Sequence, residues 1–261
     1  MKSAWFGEVW SYRELLFFLA WRDVKIRYRQ TVFGAAWAII QPLFTMLVFT
    51  LLFGRVAKVP SDGIPYPIFA YSALLLWTYF SVALSGATAS LVGNSELIRK
   101  VYFPRAALPA AAILANLLDL SIATLFLFAM MAFYRLRPSW ELLMIPLLVV
   151  QLAVLAFSGG LILAALNVRY RDIKHAMPFV MQLWMFLTPI IYPTSVIPAR
   201  YRILIALNPL SGIVETMRAC VFPSRHVDWQ LLGISLAVTL VISVFGAAYF
   251  RRAEYAFGDI I

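Results

Sequence analysis

The long uncharged runs of this sequence constrain it most. A helix needs about 20 apolar residues to cross a bilayer, and stretches of that kind lie at 31–54, 67–93, 106–134, 142–168, 176–193 and 229–250, with Asp119 the one interruption. Between the last two, 203–214 holds no charged residue but is too short to cross, and reads as a re-entrant or interfacial helix. A soluble reading fails on composition: 63% hydrophobic and 13% charged residues compare with soluble averages of about 45–50% and about 25%. So few charges would leave large apolar patches on any water-facing surface, and the mean hydropathy of +0.84 agrees.

Six crossings put both ends on one side, and the excess of Lys and Arg in alternate loops identifies that side as cytoplasmic. Of the 22 Lys and Arg residues, fourteen fall on the side of the termini, among them Arg22, Lys25, Arg27, Arg29, Arg99, Lys100 and Arg105; eight fall opposite, among them Arg218 and Arg225. The net charge of +10 then belongs to cytoplasmic loops and anionic lipid headgroups rather than to nucleic acid. The opening "MKSAWFGEVWSYRELLFFLAWRD" breaks its apolar run with charges, so no removable export signal is expected there. Cys220 alone forms no internal disulfide, and with His175 and His226 on opposite expected sides no zinc site forms.

Before the first span, Phe17, Trp21, Val24 and Tyr28 fall on one helical face, while Arg22, Lys25 and Arg29 fall on another. That pattern suits a helix lying in the membrane interface. Leu15, Leu19 and Ile26 add a second apolar stripe, and the strict alternation from Val24 to Arg29 would also suit a strand. Between spans two and three, "NSELIRKVYFPRAALP" predicts a short helix, capped by Ser95 and ended by Pro104. It presents Leu97, Ile98, Tyr102 and Phe103 beside Arg99 and Lys100, either to a soluble partner or to headgroups. After span five, Pro189, Pro193 and Pro198 in "TPIIYPTSVIP" predict a structured cap or a kinked loop.

Chemistry within the spans is sparse. No Gly-Lys-Ser or Gly-Lys-Thr step of a phosphate-binding loop occurs. Asn116 and Asp119 are the notable polar pair: a proton carrier, a substrate contact, or groups hydrogen-bonded to another helix, with the last expected. No charge pair is expected within the spans. "SGATAS" at Ser85 to Ser90 and the pair Gly159-Gly160 are expected to allow close helix approach. Trp37, Phe44, Trp184, Phe186 and Tyr192 are belt or packing aromatics, or stacking surfaces for sugar rings. Gln41-Pro42 places a polar group and an expected kink within the first span.

Taken together, "RDVKIRYRQTVFGAAWAIIQPL", "LIRKVYFPRAALP", "NVRYRDIKHAMP", "TPIIYP", "LNPLSGIVE" and the closing "RRAEYAFGDII" resemble the type 2 ABC exporter permeases of the bacterial polysaccharide family. These move O-antigen, capsule or wall teichoic acid, usually lipid-linked. The resemblance implies an all-α integral membrane protein forming a single transmembrane domain over 1–261. It has an interfacial helix within 1–30, the six spans above, a cytoplasmic coupling helix at 94–105, a re-entrant cap at 194–228 and a cytoplasmic tail at 251–261. It implies a permease in the bacterial inner membrane that is not itself an enzyme. That permease works as a homodimer with two separate ATPase subunits, which bind ATP and Mg, while this chain carries no cofactor. By position, Glu96, Leu97, Ile98, Arg99, Lys100, Tyr102 and Phe103 would couple to the ATPase. Arg22, Lys25, Arg27, Tyr28 and Arg29 would form a gating helix, and Trp37, Gln41, Phe44, Trp184, Phe186 and Tyr192 would line the substrate pathway. Two other classes stay open on the residues alone: a proton-coupled transporter using Asp119, and a membrane transferase using Glu96, Asp172 and His175.

Overall fold

A computed structural model describes residues 11–29, 34–255 and 257, apart from the Ala199 side chain. The expected positions Gln30 and Thr31, the first ten residues and the last four lie outside these. All regular structure among the described residues is helical. In chain order it comprises α1 (Arg13–Tyr28), α2 (Trp37–Phe49), α3 (Tyr66–Gly93), α4 (Ser95–Lys100) and α5 (Ala107–Phe133). Then follow α6 (Ile145–Arg169), α7 (Ile173–Leu187), α8 (Arg202–Leu207), α9 (Pro209–Val221) and α10 (Trp229–Glu254). Helix boundaries follow local chemistry. Proline stands in the first turn of α3, α6 and α9, where its missing N–H costs nothing. Asn208 and Asp228 cap α9 and α10 by accepting the amides of Leu210 at 3.2 Å and Leu231 at 3.0 Å.

Five helical stretches among the described residues are long and apolar enough to cross a membrane: Gly34–Val56, Tyr66–Gly93, Ala107–Phe133, Trp140–Arg169 and Trp229–Glu254. The first runs unbroken through Pro42 and finishes in a π-helical segment, Thr50–Val56. The expected fifth span, 176–193, differs. Its helix α7 has 15 residues and ends at Leu187 because Thr188 turns extended, ahead of Pro189. At 1.5 Å per residue such a helix is about 22 Å long, short of the roughly 30 Å hydrocarbon core.

Helix α3 is the central post, packing against α2, α5, α6, α7 and α9, and its segment Ile68 to Leu76 is fully enclosed. Close approach comes from small residues. A Cβ on Gly160 would sit 2.7 Å from that of Ala87, and one on Gly246 would sit 2.6 Å from the Ser158 carbonyl oxygen. The Gly160 contact realises the expected role of Gly159-Gly160 and "SGATAS", although Ser85, Gly86 and Ala89 of the latter face an open groove instead. Because backbone cannot yield cheaply, Gly246→Ala is expected to destabilise by about 1–3 kcal/mol, read as a lower unfolding midpoint in mixed micelles. An unchanged midpoint would contradict this packing.

The short apolar stretch 203–214 splits at Asn208-Pro209. In α8, Ile203, Leu204 and Leu207 are exposed, whereas every residue of α9 except Glu215 is buried. Helix α9 is thus an interior element held by α3, α6 and α10.

Candidate functional site

Helix α1 turns one apolar stripe, Leu15, Leu16, Leu19 and Ala20 with Tyr12, onto the protein. Phe17, Phe18, Trp21 and Ile26 face outward, Phe17 stacking on Trp21 at 6.5 Å with Lys25 Nζ 5.7 Å from the Trp21 ring. The helix reading of this segment therefore holds, and Phe17 and Trp21 share a face as expected. Two residues leave their expected stripes. Ile26 is exposed, and Tyr28 turns inward to Asp119.

That inward turn builds the main polar constellation. The Arg27 guanidinium pairs with Asp119 Oδ2 and donates to Asn116 Oδ1 at 2.8 Å, while the Tyr28 hydroxyl donates to Asp119 Oδ1. Asn116 in turn donates to the Ala112 carbonyl at 2.6 Å. The expectation of no charge pair within the spans is therefore corrected: Asp119 has a cationic partner from α1. Sequence spacing could not reveal it, because the pair joins residues 92 positions apart. Asp119 is bonded across to another helix, an arrangement in which a carboxylate in an apolar surround is stabilised by a paired cation and donors.

A cavity of about 210 Å³ opens beside this pair, lined by Arg27, Tyr28, Trp37, Gln41, Asn116 and Asp119 together with apolar side chains of α3 and α5. A shallower groove runs along its other side, where Asp23, Arg27 and Asn116 meet Ser81, Ser85, Gly86 and Ala89 of α3 and Pro178 and Met181 of α7. Of the expected pathway residues, Trp37 and Gln41 reach the cavity, and Phe44 is exposed on α2. The others lie elsewhere. Trp184 packs edge-on against Phe80 at 5.1 Å and donates to Asn208 Oδ1 at 3.1 Å, the Tyr192 hydroxyl donates to the Phe186 carbonyl at 3.1 Å, and Phe186 is exposed.

At the α4 hairpin, Arg22 Nη2 donates to Asn94 Oδ1 at 3.0 Å and to Asp23 at 2.9 Å. Helix α4 begins at Ser95 behind Asn94, without a side-chain cap bond, and ends at Lys100 because Val101 turns extended. Ser95 as cap and Pro104 as terminator are thus both corrected. Leu97 and Ile98 pack inward beside buried Phe103, so the outward surface consists of Glu96, Arg99, Lys100, Val101 and Tyr102, the last 84% exposed. Glu96 pairs with Lys100 at 3.3 Å.

Helix α3 spans about 42 Å at 1.5 Å per residue, and at its other end lies a second ionic network that sequence reasoning missed. Glu215 accepts from Arg218 at 2.8 Å and from Arg225 at 2.7 Å, Arg225 also pairs with Asp62, and Ser195 donates to Asp62 at 2.9 Å. Arg218 is fully enclosed, donates to the Ile190 carbonyl at 2.8 Å, and lies 3.6 Å over the Phe69 ring. Burial pushes its guanidinium down to about 10, against the pull of Glu215, so it stays a cation at neutral pH. The i,i+3 spacing of Glu215 and Arg218 was the one signal available in the sequence.

The chain matches the family model of the ABC-2 type transporter over residues 14–222. It is 31% identical over 254 residues to an O-antigen export system permease protein RfbA of Myxococcus xanthus, covering 95% of this chain and 96% of that one. To an RfbA of Klebsiella pneumoniae with the same description it is 26% identical, covering 95% of each chain. It is also 24% identical to the polysialic acid transport protein KpsM of Escherichia coli, over 90% of this chain and 92% of that one. With its several long apolar helices, this multi-pass membrane protein belongs to the membrane family of ABC-2 type transporters.

Proposed function

We propose that the chain is the permease subunit of an ATP-driven exporter that carries a polysaccharide out of the cytoplasm of a bacterium, across the inner membrane. The observation that carries this reading is the match to permeases named for O-antigen export and polysialic acid transport along at least 90% of both chains. The family model itself spans 14–222, from the start of α1 to the end of α9. The family model supports an ATPase partner in general. Two ATPase copies, supplying ATP and Mg, and a second permease copy complete the proposed complex. Both termini lie in the cytoplasm, and α7 with the turn residues 188–193 completes a sixth crossing.

In this reading α1 and the α4 hairpin face the ATPase, and the Arg27–Asp119 pair holds α1 against the third span. The cavity at Trp37 and Gln41, with the groove along Ser81, Ser85 and Ala89, forms the inner part of the substrate path. Hydroxyls and small side chains there present little for a sliding polymer to grip, and a flat indole offers a stacking face. Arg22, Lys25, Arg27, Tyr28 and Arg29 form the gate. Since Leu97, Ile98 and Phe103 are occupied inward, Tyr102 with Glu96, Arg99 and Lys100 makes the outward coupling contact.

Co-expression with a candidate ATPase tests the reading. Tyr102→Ala combined with Val101→Asp is expected to reduce co-purified ATPase about tenfold, the loss of about 1.4 kcal/mol, with normal insertion. If no ATPase co-purifies with the unaltered chain, the exporter reading fails.

A further inference from the structure

The end of α10 meets the exit of the α4 hairpin. Glu254 ends α10, and its two acceptors clasp one residue of the hairpin exit: Arg105 donates its backbone N–H to Glu254 Oε1 at 3.2 Å and its guanidinium to the Glu254 carbonyl at 2.6 Å. Three residues later Phe257 is only 2% exposed, its ring edge-on to buried Phe250 at 5.6 Å and 5.8 Å from the Arg105 guanidinium carbon. The cluster that encloses it also holds Leu19 of α1, Phe103 of the hairpin exit, and Leu91, Ala107 and Leu108 from the adjoining ends of α3 and α5. One aromatic ring from the tail thus lies in a small apolar core of its own, apart from the main core of the helix bundle.

We infer that the tail is a clamp: Phe257 and the Arg105–Glu254 pair lock α1, the α4 hairpin and the end of α10 into one unit, and set the position of the surface that α4 presents. Three observations support a clamp over a tail that merely rests on the protein. The ring is nearly fully enclosed, although it lies beyond the end of the last long helix. The apolar cluster it belongs to takes in α1 and the hairpin exit along with the adjoining ends of α5 and α6, and α1 and the hairpin are otherwise joined by the Arg22–Asn94 bond and by partly buried side chains of α1, Leu97 and Ile98. Finally, Arg105 follows Pro104, at the point where the hairpin re-enters the bundle. Holding that point fixes the register of everything from Ser95 onward, so Phe257, Arg105 and Glu254 are positioning residues.

Under the exporter reading this unit is what an ATPase would move as one piece, and that clause rests on the reading; the test below does not. Hydrogen exchange is measured on the full chain in lipid nanodiscs without any partner. Phe257→Ala is expected to raise exchange about tenfold at both 15–23 and 97–103, leaving the main-core stretches 68–76 and 145–156 unchanged, with Phe257→Leu restoring most of the protection. Exchange rising at 250–257 alone would overturn the clamp, since the tail would then dock without holding anything. A rise across all spans would overturn it too, by making Phe257 a general stability residue. Arg105→Ala should reproduce the pattern at 97–103, and full protection there would equally contradict the proposal.

Discussion

Asp119→Ala is expected to abolish export while leaving the chain inserted in the membrane at normal level. The carboxylate accepts from Arg27 and Tyr28, and both donors come from α1. Removing it takes the anionic partner from the Arg27 guanidinium, which keeps its bond to Asn116, and one acceptor from the Tyr28 hydroxyl, beside apolar helices. A charged hydrogen bond contributes about 1.5–3 kcal/mol. Because the Arg27 and Asp119 side chains are 35% and 24% exposed, screening places the net loss near the lower end, about 2 kcal/mol. That is roughly a thirtyfold shift away from the docked α1, toward a permease whose entrance no longer has a defined wall. Surface polymer measured on cells carrying the variant should fall by at least about tenfold. Exchange of the two charges, Arg27→Asp with Asp119→Arg, should recover more export than either single change. Normal export by Asp119→Ala, or a double variant no better than the singles, would contradict the role given to the pair. Asp119→Asn keeps one acceptor oxygen, for Arg27, while the Tyr28 hydroxyl can rotate to accept from the new amide N–H, and the variant is expected to retain most activity. Its complete inactivity in a chain that binds no ATPase would instead favour proton carriage by Asp119.

The second large effect is expected at the far end of α3. Glu215→Leu removes the anion shared by Arg218 and Arg225, leaving the fully enclosed Arg218 without its carboxylate while Arg225 keeps Asp62. Breaking a buried pair in this way costs about 3–5 kcal/mol, enough to deplete the folded population of a marginally stable domain. The expected readings are a sharply lower yield of extractable protein and a lower unfolding midpoint in mixed micelles. Glu215→Gln keeps an acceptor and falls between. Glu96→Leu, which breaks a pair exposed on both sides, should leave stability unchanged. If the two Leu variants behave alike, the network contributes nothing that burial demands.

Much of this arrangement was legible in the sequence, because a bilayer makes length and polarity decisive. Runs without charge marked five crossings, and small residues such as Gly160 and Ala87 did meet at a close helix approach. The fifth run was harder to read. Its apolar residues continue to Pro193, but the turn to extended backbone at Thr188 shortens the helix, and hydropathy does not register backbone direction. Facing was harder still. Leu97, Ile98 and Phe103 were expected outward on the strength of their chemistry, yet a small separate core under the hairpin takes them inward. Tyr28 followed the aromatic stripe on a helical wheel and was diverted by Asp119. Pairs that join distant residues, such as Arg27 with Asp119, Arg225 with Asp62, or Arg105 with Glu254, carry no local signal at all.

Transport in inside-out vesicles tests the central claim most directly. The vesicles hold the chain and its ATPase, and lipid-linked polysaccharide from the same cells is supplied on their outer face. Addition of ATP and Mg is expected to move polymer into the lumen, and a hydrolysis-deficient ATPase should stop the movement. Transport that proceeds on a proton gradient with no ATPase present would contradict the account.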